Sequence, residues 1–318
     1  MKYTERLGNN AVVPVVVLDD VKNAVPTAKA LLAGGIDVME ITLRTAAALD
    51  SIKAVARECP EMLVGAGTVV NVDQAKAVVD AGAKFIVSPG FDTKIVQWCI
   101  ENDITVTPGC VTPTEIMAAL QLGVNIVKFF PANVYGGLNA MKNLSGPFGE
   151  VKFIPTGGVN SQNIGEYTAE PFIHTVGGSW VCAKADIASQ NFEKITALCK
   201  EAVAKSLGFE LAHVGINTED GDTALETAHK FDEVFGFSVK DGNSSAFAGS
   251  GIEVMKSMYL GESGHLAIRT NNISRAIAYM EKHGFLMNDE TCKYKGKRLV
   301  AVYLKNEIGG FAVHLLQK

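Results

Sequence analysis

The 318-residue chain contains no C-x-x-C pair, although it carries six cysteines (Cys59, Cys99, Cys110, Cys182, Cys199 and Cys292). Scattered thiols argue against a disulfide frame or a zinc knuckle and suit a reducing compartment. Long apolar runs are also missing. The stretch from Val12 to Leu18 is interrupted by Pro14 and is too short for a signal core or a membrane span. There is no Arg-rich stripe able to neutralise a row of phosphates, and 29 basic against 34 acidic residues leave a net charge of −5. Neither nucleic acid nor a membrane is therefore an expected partner. A hydrophobic fraction of 47% and a mean hydropathy of +0.17 exclude a disordered chain. The expectation is a folded, cytoplasmic protein.

The last third lacks whole residue types. All ten prolines lie at or before Pro171 and both tryptophans at or before Trp180, whereas five of the six histidines follow residue 210. The length suits two domains, and the shift in composition puts the expected domains at 1–207 and 208–318.

Up to about residue 205, eight short apolar runs alternate with amphipathic stretches. They begin at Ala11, Asp37, Met62, Lys84, Ile104, Asn125, Val151 and Phe172. Continuous rather than alternating apolar strands imply a parallel sheet covered by helices, and eight strand–helix units imply a closed (β/α)8, or TIM, barrel. The stretch from Glu193 to Leu207 has the spacing of a closing helix, ended by Gly208. On such a barrel, chemistry gathers at the carboxyl ends of the strands.

Three features there carry chemistry. Lys128 lies inside the apolar run Ile126-Val127-Lys128-Phe129-Phe130, where a charged ammonium is costly to bury; an uncharged amine, in contrast, attacks carbonyls to form a Schiff base. A lone lysine would more simply reach solvent from a strand edge. Glu40, Thr42 and Arg44 alternate with Met39, Ile41 and Leu43, so the polar set can share a face inside the barrel mouth. An isolated Glu and Arg would serve equally as a structural ion pair. Beside a buried lysine they suggest a proton-transferring carboxylate and an arginine that clamps a substrate carboxylate. Two glycine clusters, Pro155-Thr156-Gly157-Gly158 and Gly177-Gly178-Ser179, end the seventh and eighth runs, the usual phosphate cradle of such a barrel.

The segments E-I-T-L-R-T, G-A-G-T-V, S-P-G, P-G-C-x-T-P-T-E, K-F-F-P-A, P-T-G-G-V and G-G-S-W occur in this order almost from end to end of the barrel. They resemble the KDPG/KHG aldolases. The resemblance implies a class I aldolase, usually trimeric, that cleaves 2-keto-3-deoxy-6-phosphogluconate to pyruvate and glyceraldehyde 3-phosphate; many such enzymes also cleave 4-hydroxy-2-oxoglutarate to pyruvate and glyoxylate. It implies Lys128 as the Schiff-base lysine, Glu40 as acid/base and Arg44 as carboxylate ligand. Thr68 would help hold the pyruvate carboxylate, and Thr156, Gly157, Gly158, Gly178 and Ser179 would line the phosphate end. No cofactor is implied beyond the covalent Schiff base. Asn133 stands where many relatives carry Glu, and Val181-Cys182-Ala183 follows G-G-S-W where others vary. These departures bear on substrate preference rather than chemistry, and the C4-epimeric phosphogalactonate stands separately as an alternative substrate.

From Phe209 onward the chain reads as duplicated. H-V-G-I-N-T-E-D at His213 resembles H-L-A-I-R-T-N-N at His265; each is followed by a helical stretch ending in G-F and closed by a strand, at Gly251 and at Gly310. Two β-α-β-β-β copies, each covering its twin, make an α+β domain. The region resembles the vicinal-oxygen-chelate (glyoxalase-like) superfamily. That resemblance implies metal ligands on the first and last strands of each copy, here His213, Glu253, His265 and His314, a set that suits a divalent metal. A histidine at 314 departs from glyoxalase I, where a carboxylate also transfers a proton. Two roles follow for the domain: a second metal-dependent enzyme acting on a small oxo-acid or aldehyde, or a module that regulates or assembles the aldolase.

Overall fold

The computed structural model describes residues 2–318, which form two compact units, one up to Ser206 and the other Leu207–Lys318.

In the first unit, eight strands alternate with helices: β1 (Val12–Val16), β2 (Val38–Thr42), β3 (Leu63–Gly67), β4 (Phe85–Val87), β5 (Thr105–Thr107), β6 (Ile126–Phe129), β7 (Lys152–Pro155) and β8 (Val176–Gly178). Six form one parallel sheet in the order β5-β4-β3-β2-β1-β8, and β6 and β7 form a second. Single parallel bridges, Gly109 to Lys128 on one side and Phe153 to Ile173 and Thr156 to Gly177 on the other, close the two sheets into a ring. This is a TIM-like α/β fold. The strands are buried nearly throughout because helices cover the outside and side chains fill the inside. Local signals start the helices. Thr112 and Glu115 form a reciprocal capping box with Pro113 at the first turn, so two otherwise unpaired N–H groups are satisfied before the helix Pro113–Gln121 begins. The last helix of the unit, Phe192–Leu207, stops before Gly208, which takes a left-handed φ of +55°.

A short helix, Thr4–Asn9, precedes β1. Its Leu7 is fully buried and, with Val13, Phe85, Thr107, Glu40 and Lys128, borders a void of about 10 Å³ inside the ring.

The second unit contains, in chain order, β9 (Glu210–Asn217), a helix (Gly221–Phe235), β10 (Val239–Asp241), β11 (Ser245–Ala248) and β12 (Ile252–Met255). There follow β13 (His265–Thr270), a helix (Ile273–Lys282), β14 (Met287–Lys295), β15 (Arg298–Leu304) and β16 (Ala312–Gln317). All eight strands share one sheet, ordered β10-β11-β12-β9-β13-β16-β15-β14. The edge strand β14 ends in an exposed hairpin, Lys293-Tyr294-Lys295-Gly296-Lys297-Arg298. Charge at such an edge discourages strand-to-strand aggregation. Among the described residues, no helix is long and apolar enough to cross a membrane.

Candidate active site and candidate metal centre

β6 brings Lys128 and β2 brings Glu40 into the interior of the ring, where they are 5% and 3% exposed. Lys128 Nζ lies 3.5 Å from Glu40 Oε1, and 5.1 Å from the centroid of the Phe130 ring. The charges compensate one another in a site where either alone would be severely destabilising, and the aromatic face adds a further favourable contact for the ammonium. Room for the carboxylate comes from β3. Gly67 pairs with Thr42 in register, and a Cβ at Gly67 would fall 1.9 Å from Glu40 Oε1.

Above the pair opens a cavity of about 310 Å³ whose wall includes Arg44, Lys128, Phe130, Thr156, Gly157, Gly158, Gly178, Ser179 and Lys184. β2 ends at Thr42, so Arg44 stands in the turn beyond it rather than on the strand face with Glu40. The physical reason is local. The last ladder bond runs from the Leu43 N–H to the Gly67 carbonyl, after which β3 gives way at Thr68 and leaves β2 without a partner.

The two glycine turns also line the cavity. Gly157 and Gly158 both take left-handed φ, +92° and +81°, a sequence of conformations that leaves backbone N–H groups free to converge on an anion. A side chain at Gly158 would also strike Asn133, at 2.5 Å. Gly177 is held against Thr156, whose Oγ1 would lie 2.2 Å from an added Cβ, and Gly178 against the Trp180 ring.

Thr68 is half-buried at the end of β3 and has a φ of +61°. A β-branched residue in that region is strained, and such strain gathers at functional sites. It is not on the cavity wall. Among the wall residues named above, Phe130 and Lys184 escaped sequence reasoning. Phe130 had a signal, since it stands two places after the lysine in the same motif. Lys184 had none.

The second unit brings its four sequence-predicted residues together on the central strands of the sheet. Glu253 Oε2 lies 2.9 Å from His213 Nε2 and 3.2 Å from His265 Nε2, and the two Nε2 atoms are 3.2 Å apart. Ligand atoms of His213, His265 and His314 all lie within 4.8 Å of one another. Gly215 is the register partner of both Glu253 and His265, and a Cβ there would lie 1.9 Å from the His265 ring; glycine is what lets the imidazole lie across β9. Burial works to raise the Glu253 carboxyl, but hydrogen bonds from His213, His265 and Ser245 outweigh it and hold the group well below the usual carboxylate range. Burial, reinforced by the neighbouring His265 and His213, lowers His314 to about 3. Both ring nitrogens of His314 and Nδ1 of His265 are buried without a hydrogen-bond partner. Buried lone pairs without donors, converging with a carboxylate, are what a divalent cation would satisfy, so these residues fit a metal.

The ring of strands defines the first unit as a TIM-like barrel, and the buried lysine–carboxylate pair with the cavity beside it is its candidate active site. Residues 4–198 match the family described as KDPG and KHG aldolase. The 2-dehydro-3-deoxy-phosphogluconate aldolase of Treponema pallidum (strain Nichols) is 44% identical over 199 residues, 63% of this chain and 95% of that protein. The KDPG aldolase of Legionella pneumophila, solved with pyruvate captured at low pH as a covalent carbinolamine intermediate, is 40% identical with a TM-score of 0.62, covering 64% of this chain and 98% of that one. The 2-keto-3-deoxy-6-phosphogluconate aldolase of Zymomonas mobilis ZM4, solved with 3-phosphoglycerate, is 40% identical with a TM-score of 0.59, covering 64% and 95%. The chain belongs to the KDPG and KHG aldolase family, and is accordingly an aldolase, a lyase.

Proposed function

We propose that the first unit cleaves 2-keto-3-deoxy-6-phosphogluconate to pyruvate and glyceraldehyde 3-phosphate through a Schiff base on Lys128. The observation that carries this reading is the buried Lys128–Glu40 pair, 3.5 Å apart, whose lysine lines a cavity that also carries a guanidinium and the two glycine turns on its wall. Lys128 Nζ adds to the substrate C2 carbonyl, and loss of water gives an iminium. Glu40, through a water, takes the C4 hydroxyl proton as the C3–C4 electron pair flows into the iminium, releasing the aldehyde and leaving an enamine. Protonation at C3 and hydrolysis of the iminium then free pyruvate and the lysine. Arg44, on the cavity wall, holds the pyruvate carboxylate, and the resemblance adds Thr68, strained at the end of β3, as a second ligand to it. Thr156, Gly157, Gly158, Gly178 and Ser179 receive the phosphate. The cation that drives the bond cleavage is the iminium itself.

The family's name supports a second substrate, 4-hydroxy-2-oxoglutarate, and the usual assembly of such barrels supports a homotrimer, in the cytoplasm. Which C4 epimer is preferred turns on one hydroxyl. The test is incubation with pyruvate and borohydride followed by peptide mapping. A reduced pyruvyl adduct on Lys128, absent from Lys128→Ala, is the expected result; folded protein without an adduct sinks the mechanism.

For the second unit, the strand, helix, three-strand order that occurs twice supports paired βαβββ modules of the vicinal-oxygen-chelate type, with His213, Glu253, His265 and His314 holding one divalent metal. A metal bound there supplies a Lewis acid. The chain's own groups hold Glu253 through Ser245, 2.7 Å away, and stack Tyr303 on His314 at 4.5 Å, which fixes the ring. Metal analysis of the full chain and of His265→Ala distinguishes an ion at this cluster from none.

A further inference from the structure

We propose that Lys184 determines selectivity for a phosphorylated substrate, swapping its ion pair with Asp19 for one with the substrate's distal phosphate. The proposal rests on the aldolase reading above and adds to it a residue with no role in the glycine cradle or the Schiff-base chemistry.

The cavity wall carries three cations, Arg44, Lys128 and Lys184, and no carboxylate. Arg44 answers to the substrate's carboxylate, and Lys128 keeps its positive charge as an iminium. The third cation lies five residues beyond Ser179, the last residue of the second glycine turn, and lines the same cavity. Backbone amides of the glycine turns donate hydrogen bonds without carrying formal charge, whereas a phosphate monoester near neutral pH carries up to two negative charges. Lys184 is the group on that wall able to balance them.

Its present partner suits an exchange. Lys184 Nζ lies 2.9 Å from Asp19 Oδ2, and both side chains are more than half exposed, at 57% and 58%. A solvated pair of this kind is worth little, so a partly enclosed dianion is the stronger competitor for the ammonium. Asp19 itself borders a neighbouring hollow of about 200 Å³ that Lys184 also lines. The adjacent Lys22 is taken by Asp20, at 2.9 Å. Asp19 thus parks the Lys184 head beside the cavity when phosphate is absent.

The experiment compares two reactions of the same protein: cleavage of 2-keto-3-deoxy-6-phosphogluconate, and exchange of the pyruvate methyl protons with D2O followed by NMR, which needs the Lys128 enamine but no phosphate. Lys184→Gln is expected to raise KM for the phosphorylated substrate about tenfold, the size of one lost charge-assisted hydrogen bond, with kcat and the exchange rate near those of the parent. Lys184→Arg restores most of the affinity. Asp19→Asn lowers KM by releasing the competitor. An unchanged KM in Lys184→Gln, or cleavage and exchange falling together, overturns the proposal. Absence of exchange in the parent protein would instead strike the aldolase reading on which it stands.

Discussion

The two units each bury a cluster of ionisable side chains, and the clusters differ in how their polar atoms are partnered. In the barrel, Lys128 and Glu40 form a buried ion pair. In the second unit, three imidazoles crowd a single carboxylate, with ring nitrogens of His265 and His314 left unpartnered. An ammonium that already has its counter-ion can be converted to an iminium with no change in the charge count. A buried group without one marks a place for a ligand. The same chain therefore holds one charge-paired cluster and one whose donor set fits a cation.

Perturbing each cluster sharpens this contrast. The largest effect is expected from Lys128→Ala, which removes the nucleophile: kcat/KM for aldol cleavage should fall by about 10⁴-fold or more, as when other covalent catalysts lose their nucleophile, and a thermal melt of the same variant checks that the barrel persists. Next comes the metal. Zn²⁺ or Mn²⁺ at about a thousand times its dissociation constant should stabilise the folded state by about 4 kcal/mol, read as a rise in Tm that His265→Ala abolishes; a melt insensitive to divalent ions would remove the contrast between the clusters.

Gly67→Ala tests the barrel pair from the side. The added methyl would occupy the place of the Glu40 carboxylate, and a displacement of about 1 Å is expected to cost about 10²-fold in turnover while the lysine still traps pyruvate. The smallest effect lies away from both clusters. Burial acts to raise the Glu115 carboxyl, but bonds from the Val111 and Thr112 N–H groups and the Thr112 hydroxyl win and hold it below its ordinary value. A carboxyl lowered on folding stabilises fully above its unfolded value and loses that contribution as pH falls through the folded one. Denaturant melts should therefore show the parent losing stability in mild acid more steeply than Glu115→Gln, which at neutral pH is less stable by about 1 kcal/mol.

Much of this was legible in the sequence because it is written in local patterns. Each of the eight apolar runs contains a strand, since an apolar run between turn residues has little choice in a covered parallel sheet. The four residues His213, Glu253, His265 and His314 converge because they stand at matching places in a repeated pattern. Arg44 shows the limit: alternation extends the strand face by one more step than the ladder does, since strand length depends on where the neighbour stops. Lys184 and Asp19 show a stronger one. Each is an ordinary exposed charge in its own segment, 165 residues apart in the chain. They meet because β8 pairs with β1, with Val176 opposite Val12 and Gly178 opposite Pro14. Contacts made by ring closure leave no trace in either segment.

The helix ahead of β1 has a consequence for anyone who would shorten or tag the chain. Leu7 borders the same small void as Lys128 and Glu40, and the Tyr3 N–H is tied to Thr105 Oγ1 on the opposite side of the ring, 3.1 Å away. These few residues cover one side of the small void that the lysine and its carboxylate also border. With them removed, solvent would enter from that side, and the first thing to change would be the dryness in which the lysine and its carboxylate meet, well before the strands themselves came apart.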